Sequence, residues 1–284
     1  MAKQTLQVTE KDGIVRVDKF LADSFPEYSR AALAKLFTLN LIKFKGEPIQ
    51  PGFRLRPGSE FEYDLGPLQD KPEVIELPII YEDENVVVVN KPAGIISHAR
   101  GKFWQEASVA SFIRSKISNE LEGERGGIVH RLDRATSGAM ICAKNESTLK
   151  YLQKQFQDRT VQKTYIAVIE KAPKQKKAKI VAPIGRNLKD PKRFKVATDG
   201  KQSETVYEVK EGVSQGVKVE LTPKTGRTHQ LRVHLAYIDR PIVGDELYGG
   251  KTSERLLLHA HKLQIKLPGD IEKTFEAPLP TEFQ

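Results

Sequence analysis

The sequence predicts an α+β protein: a mixed, mostly antiparallel sheet with flanking helices, preceded by a small α/β module. Three observations carry this. Strand-like runs outnumber helical ones from residue 79 onward. They do not alternate regularly with helices, as βαβ units do. A proline-rich stretch, "GPLQDKPEVIELP" at 66–78, separates them from an earlier helix, helix, strand pattern. The expected organisation is a module over 14–64, a linker over 65–78 and a larger domain over 79–284. At 284 residues the chain can bury a sizeable core in each part.

"VDKFLADSF" puts Val17, Phe20, Leu21 and Phe25 on one helical face. "RAALAKLFTLN" repeats the spacing with Leu33, Leu36 and Phe37, behind Ser29 as a fitting N-cap. "LIKFKGEPI" and "LRPGSEFEYDL" close the module as a small ribbon with a Pro-Gly turn. In the larger domain "VVVVNKPAG" reads as a strand ending in a turn and "SVASFIRSKI" as a helix. "IVHRLD" and "AMICAK" read as strands around a Thr-Ser-Gly turn, and "STLKYLQKQF" as a helix. "KTYIAVIE", "ETVYEV" and "VKVELTP" are further strands, "THQLRVHLAYI" a helix and "LLLHAHKLQIKL" a long late strand.

Composition narrows the function. No apolar stretch approaches the ~18 residues of a membrane span, and "MAKQTLQVTEKDG" lacks the apolar run of a signal peptide. A single cysteine, Cys142 in the apolar "AMICA" run, supplies neither a disulfide nor a metal cluster and reads as a core thiol. A cytoplasmic protein without membrane contact is expected. The net charge of +9 favours a polyanion partner. Residues 171–195 hold ten Lys/Arg and one Asp, either a solvated loop pair or a phosphate-binding ridge.

The chemistry concentrates in "GGIVHRLDRATSGAMICAKN" at 126–145. In an extended "HRLD", Arg131 and Asp133 share one side, a guanidinium and a carboxylate at a strand end. His229 and His234 are five apart and off one helical face, and His259 and His261 share a strand face with Leu263; both pairs read as core or supporting histidines, not metal ligands. No glycine-rich phosphate loop is present.

Read together, "EDENVVVVNKPAGIISH", "HRLDRATSGAMICAKN", "QFQDRTVQKTYIAV", "LTPKTGRTHQLRVHL", "PIVGDELYG" and "LHAHKLQIKLP" occur in an order that resembles the pseudouridine synthases of the branch containing the large-subunit ribosomal RNA enzymes. The segment from "RVDKFLADSF" to "RPGSEF" resembles the ribosomal-protein S4-type RNA-binding module that many members carry in front. The resemblance implies isomerisation of uridine in RNA, with no cofactor and no metal. Asp133 matches the catalytic aspartate, as nucleophile at C1′ or as base at C2′. Arg227 matches the arginine that pairs with it, Tyr165 the tyrosine at the base, and Arg131 the arginine that fills the gap left by the flipped uridine. Arg30 and Lys35 on the second helix, with Lys174, Lys176 and Lys177, are the candidate RNA contacts. Ala135, Ala139-Met140 and Glu170 depart from the family pattern. Ribosomal RNA is the expected substrate, transfer RNA the alternative, and the protein is expected to be a monomer. A silent RNA-binding or assembly protein of the same fold is the rival of another class, which the intact set Arg131, Asp133, Tyr165 and Arg227 disfavours. A glycosidase is disfavoured by the lack of a second carboxylate at a recognisable spacing.

Overall fold

Ser29 begins the second helix of the chain in the way its sequence requires: its Oγ accepts the Ala32 N–H at 3.2 Å, satisfying one orphan donor of the first turn. The computed structural model describes residues 4–69, 75–99, 106–121 and 125–284. The chain divides into two compact units, the first built on residues up to 73 and the second on 74–98 with 107–284.

The first unit contains β1 (Gln4–Gln7), β2 (Val15–Arg16), α1 (Val17–Ser24), α2 (Arg30–Thr38), β3 (Ile42–Phe44), β4 (Glu47–Pro48), β5 (Arg54–Leu55), β6 (Glu60–Tyr63) and one helical turn, α3 (Gly66–Gln69). Four strands run in the order β1-β6-β3-β4, and β2 pairs with β5. Val17 and Leu21 of α1 and Leu33 and Leu36 of α2 pack with Leu55 and Phe61. The unit exceeds the expected 14–64 at both ends. Gln4 to Gln7 pair with Tyr63 to Glu60, and Val8 is fully buried. Part of the expected linker is core as well: Asp64 Oδ1 accepts the Gly66 N–H at 2.7 Å, and the turn buries Leu65 and Leu68. Residues 70–74 of that linker lie outside the described residues.

The second unit contains β7 (Ile79–Glu82), β8 (Val86–Lys91), α4 (Val109–Ile113), β9 (Ser137–Ala143), α5 (Glu146–Asp158), β10 (Gln162–Ile169), β11 (Lys177–Val181), β12 (Ile184–Arg186), β13 (Phe194–Val196), β14 (Glu204–Val213), β15 (Gly216–Pro223), α6 (Gln230–Tyr237), β16 (Leu258–Leu267) and β17 (Ile271–Glu276). Nine of these strands form one sheet in the order β11-β14-β15-β10-β16-β9-β8-β7, with β17 beside β16. Every pairing is antiparallel except β9 with β16. The fold class is the α+β class expected.

β8 reads as an unbroken apolar run because both of its faces are covered. Val87 and Val89 pack with Val109 and Phe112 of α4, while Val86 and Val88 pack with Leu152 of α5, the alternation a strand imposes. Cys142 is buried on the α4 side, and burial pushes its thiol well above the ordinary range. Gly138 has φ +118°, and a Cβ there would lie 2.3 Å from Ala260 O. Glycine is what lets β9 approach β16 at this point.

Two expectations in this unit fail. "IVHRLD" is not a strand: Ile128 makes a single bridge to Cys142, and residues 129–136 are a loop leading into β9. The lysine-rich segment is not a loop pair, since it contains β11, β12 and β13. Its lysines alternate with Ala178 and Ile180, as on an edge strand with one wet face.

Candidate active site

The loop bearing Asp133 is held by its backbone. The Ser97 hydroxyl accepts the Leu132 N–H at 3.0 Å and donates to Leu132 O at 2.8 Å. Arg134 O accepts Gly94 N–H at 2.8 Å and Lys91 Nζ at 3.3 Å. Asp133 O accepts Thr136 N–H at 3.1 Å, closing the turn into β9. Lys91 is fully buried, and its ammonium also donates to Pro92 O at 2.8 Å and Ile95 O at 2.7 Å. Burial pushes its pKa down to about 7, with the Asp133 carboxylate opposing that shift. Lys91 therefore ties the "NKPAG" turn to the loop and, when protonated, adds positive potential near the carboxylate.

The opposite wall is the turn between β15 and α6. Thr225 Oγ1 donates to Gln230 Oε1 at 2.7 Å, and that oxygen also accepts the Arg227 N–H at 3.0 Å. Gln230 Nε2 donates to Glu204 O at 2.9 Å and Thr205 Oγ1 at 3.0 Å, which locks the turn onto β14. His229 starts α6 at φ +56°, ψ +17°, a left-handed conformation costing roughly 1–2 kcal/mol for a residue with a Cβ. Its Nε2 lies 4.0 Å from Asp133 Oδ2, and its Nδ1 lies 2.9 Å from Tyr248 Oη.

The expected pairing of Arg227 with Asp133 is not formed. Arg227 Nε donates to Gln202 O at 3.4 Å, because its side chain leaves the turn on the side of β14. The buried arginine of this motif is Arg232, one helical turn further on. Arg232 donates from Nε to Asp245 Oδ2 at 2.8 Å and from Nη2 to Asp245 Oδ1 at 2.7 Å, and it lies over the Tyr248 ring at 5.0 Å. Burial works against its charge, but the bonds to Asp245 and the nearness of Asp133 hold its pKa above the ordinary value.

Between these walls is a cleft of about 520 Å³, lined by Arg131, Asp133, Lys163, Tyr165, Arg227 and His229 among others. Tyr165 packs against two of the core clusters; burial first, and Asp133 second, push its phenol far above the usual range. His130 also lines the cleft, stacking on Phe156 at 4.6 Å and accepting the Ile141 N–H at Nε2, 3.2 Å. Burial, and then the charge of Lys163, bring its pKa down to about 3.

The structure thus brings Arg131, Asp133, Tyr165 and Arg227 to one cleft. Arg30 and Lys35 lie in the first unit on α2, five residues or about 140° of helix apart. Lys174 and Lys176 are exposed ahead of β11, and Lys177 is the first residue of that strand. Lys91, Arg232, Asp245 and Tyr248 were not singled out by the sequence, and His229 was read only as a core or supporting histidine. A lysine closing a strand that opens with four valines was a legible signal for Lys91, and Arg232 stood in the same quoted motif as Arg227. Among the described residues no three His, Cys, Asp or Glu side chains converge on a metal position.

Comparison with known proteins gives this site its class. A family model for RNA pseudouridylate synthases matches residues 85–237, more than half of the chain and all of the Asp133 loop. The chain belongs to that family, and it is an isomerase acting on RNA. More particular likenesses follow among curated relatives. Ribosomal large subunit pseudouridine synthase D of Borreliella burgdorferi is 36% identical, covering 100% of this chain and 92% of the relative. The protein of the same name from Xanthomonas campestris pv. campestris is 32% identical, covering 95% and 87%. An uncharacterized RNA pseudouridine synthase of Aquifex aeolicus is 39% identical over 84% of this chain and 78% of its own. Among solved structures, human RNA pseudouridylate synthase domain containing 1 aligns with TM-score 0.59 and 29% identity, covering 75% of this chain and 87% of that one.

Proposed function

We propose that this enzyme converts uridine to pseudouridine in large-subunit ribosomal RNA, with Asp133 as the catalytic carboxylate. The observation that carries the role of Asp133 is its setting: a carboxylate on a loop clamped through Leu132 and Arg134, in the cleft, with the cations Lys91 and Arg232 near enough to feel it. The names of two relatives support the ribosomal substrate. Transfer RNA is the alternative.

The reaction breaks the N1–C1′ bond, turns the uracil, joins C5 to C1′, and exchanges the C5 proton for one on N1. Asp133 serves it ionised, as nucleophile at C1′ or as base at C2′. Arg232, and Lys91 in its protonated form, supply preorganised positive potential without occupying the carboxylate. Tyr165 keeps its proton at neutral pH, since burial raises its phenol. Its ring is a wall for the base, and relay of the C5 proton through it requires the phenol to give up its own proton first. Arg131 is exposed at the cleft, free to fill the stack that a flipped uridine vacates, an extrusion costing a few kcal/mol. The first unit, with its S4-like order of two helices and a ribbon, contributes RNA affinity through Arg30 and Lys35.

The test is release of tritium from an unmodified large-subunit ribosomal RNA transcript labelled at uridine C5, followed by mapping of the modified position. Release into water at a discrete site is expected. A transfer RNA transcript turned over in preference to the ribosomal one would reassign the substrate, and no release from either would overturn the reading.

A further inference from the structure

We propose that His229 is a positioning residue for Asp133, held as the neutral Nε2–H tautomer by Tyr248 so that its N–H faces the Asp133 carboxylate. The inference rests on the proposed catalytic role of Asp133.

Hydrogen-bond bookkeeping favours this tautomer. The Phe194 N–H donates to Tyr248 Oη at 2.9 Å, so that oxygen already accepts one bond. The single phenolic proton then needs an acceptor, and among the described residues the one in reach is His229 Nδ1 at 2.9 Å. An imidazole that accepts at Nδ1 carries its proton at Nε2 when neutral. That nitrogen lies 4.0 Å from Asp133 Oδ2, close enough for a modest closure of the cleft to bring it to hydrogen-bond distance.

The ring is fixed from both sides, edge-on to Phe194 at 5.6 Å and to Tyr248 at 5.7 Å. Its backbone is in a left-handed conformation that glycine or asparagine adopts more readily. A histidine kept there, with both nitrogens directed, serves the site and not the turn. The charged groups acting on it are Asp133 and Asp245, which favour its cationic form, and Arg232 and Arg131, which oppose it; burial outweighs these and keeps it neutral. Once the cleft closes, one carboxylate oxygen of Asp133 is engaged by this donor, leaving the other for the ribose.

Two measurements on the full chain test this. The first needs no turnover: ¹⁵N-labelled histidine spectra should report His229 protonated at Nε2 and bare at Nδ1. Asp133→Asn should move its titration to lower pH, because the carboxylate that favours the cation is gone. An Nδ1–H tautomer, or a titration indifferent to Asp133→Asn, overturns the proposal. The second follows tritium release. His229→Gly relieves the left-handed strain, so its Tm should hold or rise, while kcat falls about 10–100-fold, the worth of a hydrogen bond to a charged group. The acid limb of its kcat profile should move to higher pH, since a carboxylate that loses a donor is harder to ionise. His229→Gln, which keeps an N–H near the ε position, should restore most of kcat and the limb. Tyr248→Phe, which leaves the backbone alone, should lower kcat by less than His229→Gly. A His229→Gly enzyme within twofold of wild type overturns the proposal. A wild-type enzyme that releases no tritium, with the tautomer and the Asp133 coupling intact, overturns the catalytic reading instead.

Discussion

Lysine and arginine meet opposite company at two places on the same sheet. At the β11 edge Lys177 faces its cross-strand partner Glu208, with Nζ and Oε2 3.1 Å apart. Lys179 reaches Glu204 at 3.7 Å, and Lys210 joins Glu208 at 2.8 Å. Three strand positions away, about 14 Å at the usual spacing, the cleft holds Arg131, Arg159, Lys163 and Lys224 with no carboxylate in ion-pair reach of them among the described residues. The segment with the greatest excess of charge is partly neutralised by glutamates of the neighbouring β14, whereas the cleft cations have no such partner among the described residues. We expect pairing, more than charge density, to distinguish the surface that meets RNA.

The largest effect should come from the one carboxylate placed among those cations. Asp133→Asn should abolish tritium release, by more than about 10³-fold, while RNA affinity stays within a few-fold, because the amide keeps the shape and loses the charge. Appreciable turnover by this variant would remove Asp133 from the chemistry.

Next in size is the contrast between two arginines of one motif. Arg232→Ala leaves Asp245 buried and unpaired, a loss on the order of 3 kcal/mol that should appear as a Tm drop of roughly 6–12 °C. Arg227→Ala should leave Tm nearly unchanged, because its side chain holds one long bond to a carbonyl. Equal melting temperatures for the two variants would contradict the pairing described here.

A third test concerns Lys163 and the histidine beneath it. The folded pKa of His130 is about 3 against about 6.5 unfolded, so the unfolded chain binds the proton first as pH falls. The folded state should lose up to ~1.4 kcal/mol per pH unit from about 6.5 downward. His130→Phe, which preserves stacking on Phe156, should flatten that slope in denaturant titrations. Lys163→Met should move the His130 titration upward, since the cation helps to depress it.

The smallest effects compare the two surfaces directly. Lys163→Ala or Lys224→Ala should each reduce the slope of log affinity against log salt by about 0.7–0.9. Lys177→Ala, whose ammonium is already shared with Glu208, should change the slope by less than half as much. The reverse order would return the RNA contact to the 171–195 segment.

Much of this protein was legible in the sequence because it depends on local pattern. Helical spacing located α1, α2 and α5, the valine run located β8, and the quoted motifs located the Asp133 loop and Tyr165. Polar "QTLQ" carried no strand signal; it pairs because Tyr63 to Glu60 present an open edge to it. "HRLD" alternates like a strand, yet the hydroxyl of Ser97, 35 residues away, takes its backbone bonds and leaves it a loop. The sequence determined which residue types converge on the site. Tertiary structure alone decided that Arg232 and not Arg227 is buried, that Asp245 is its partner, and that His229 is turned toward Asp133. Those outcomes follow from which side chains are desolvated together across strands distant in the chain, and a buried charge takes whatever partner the fold puts within reach.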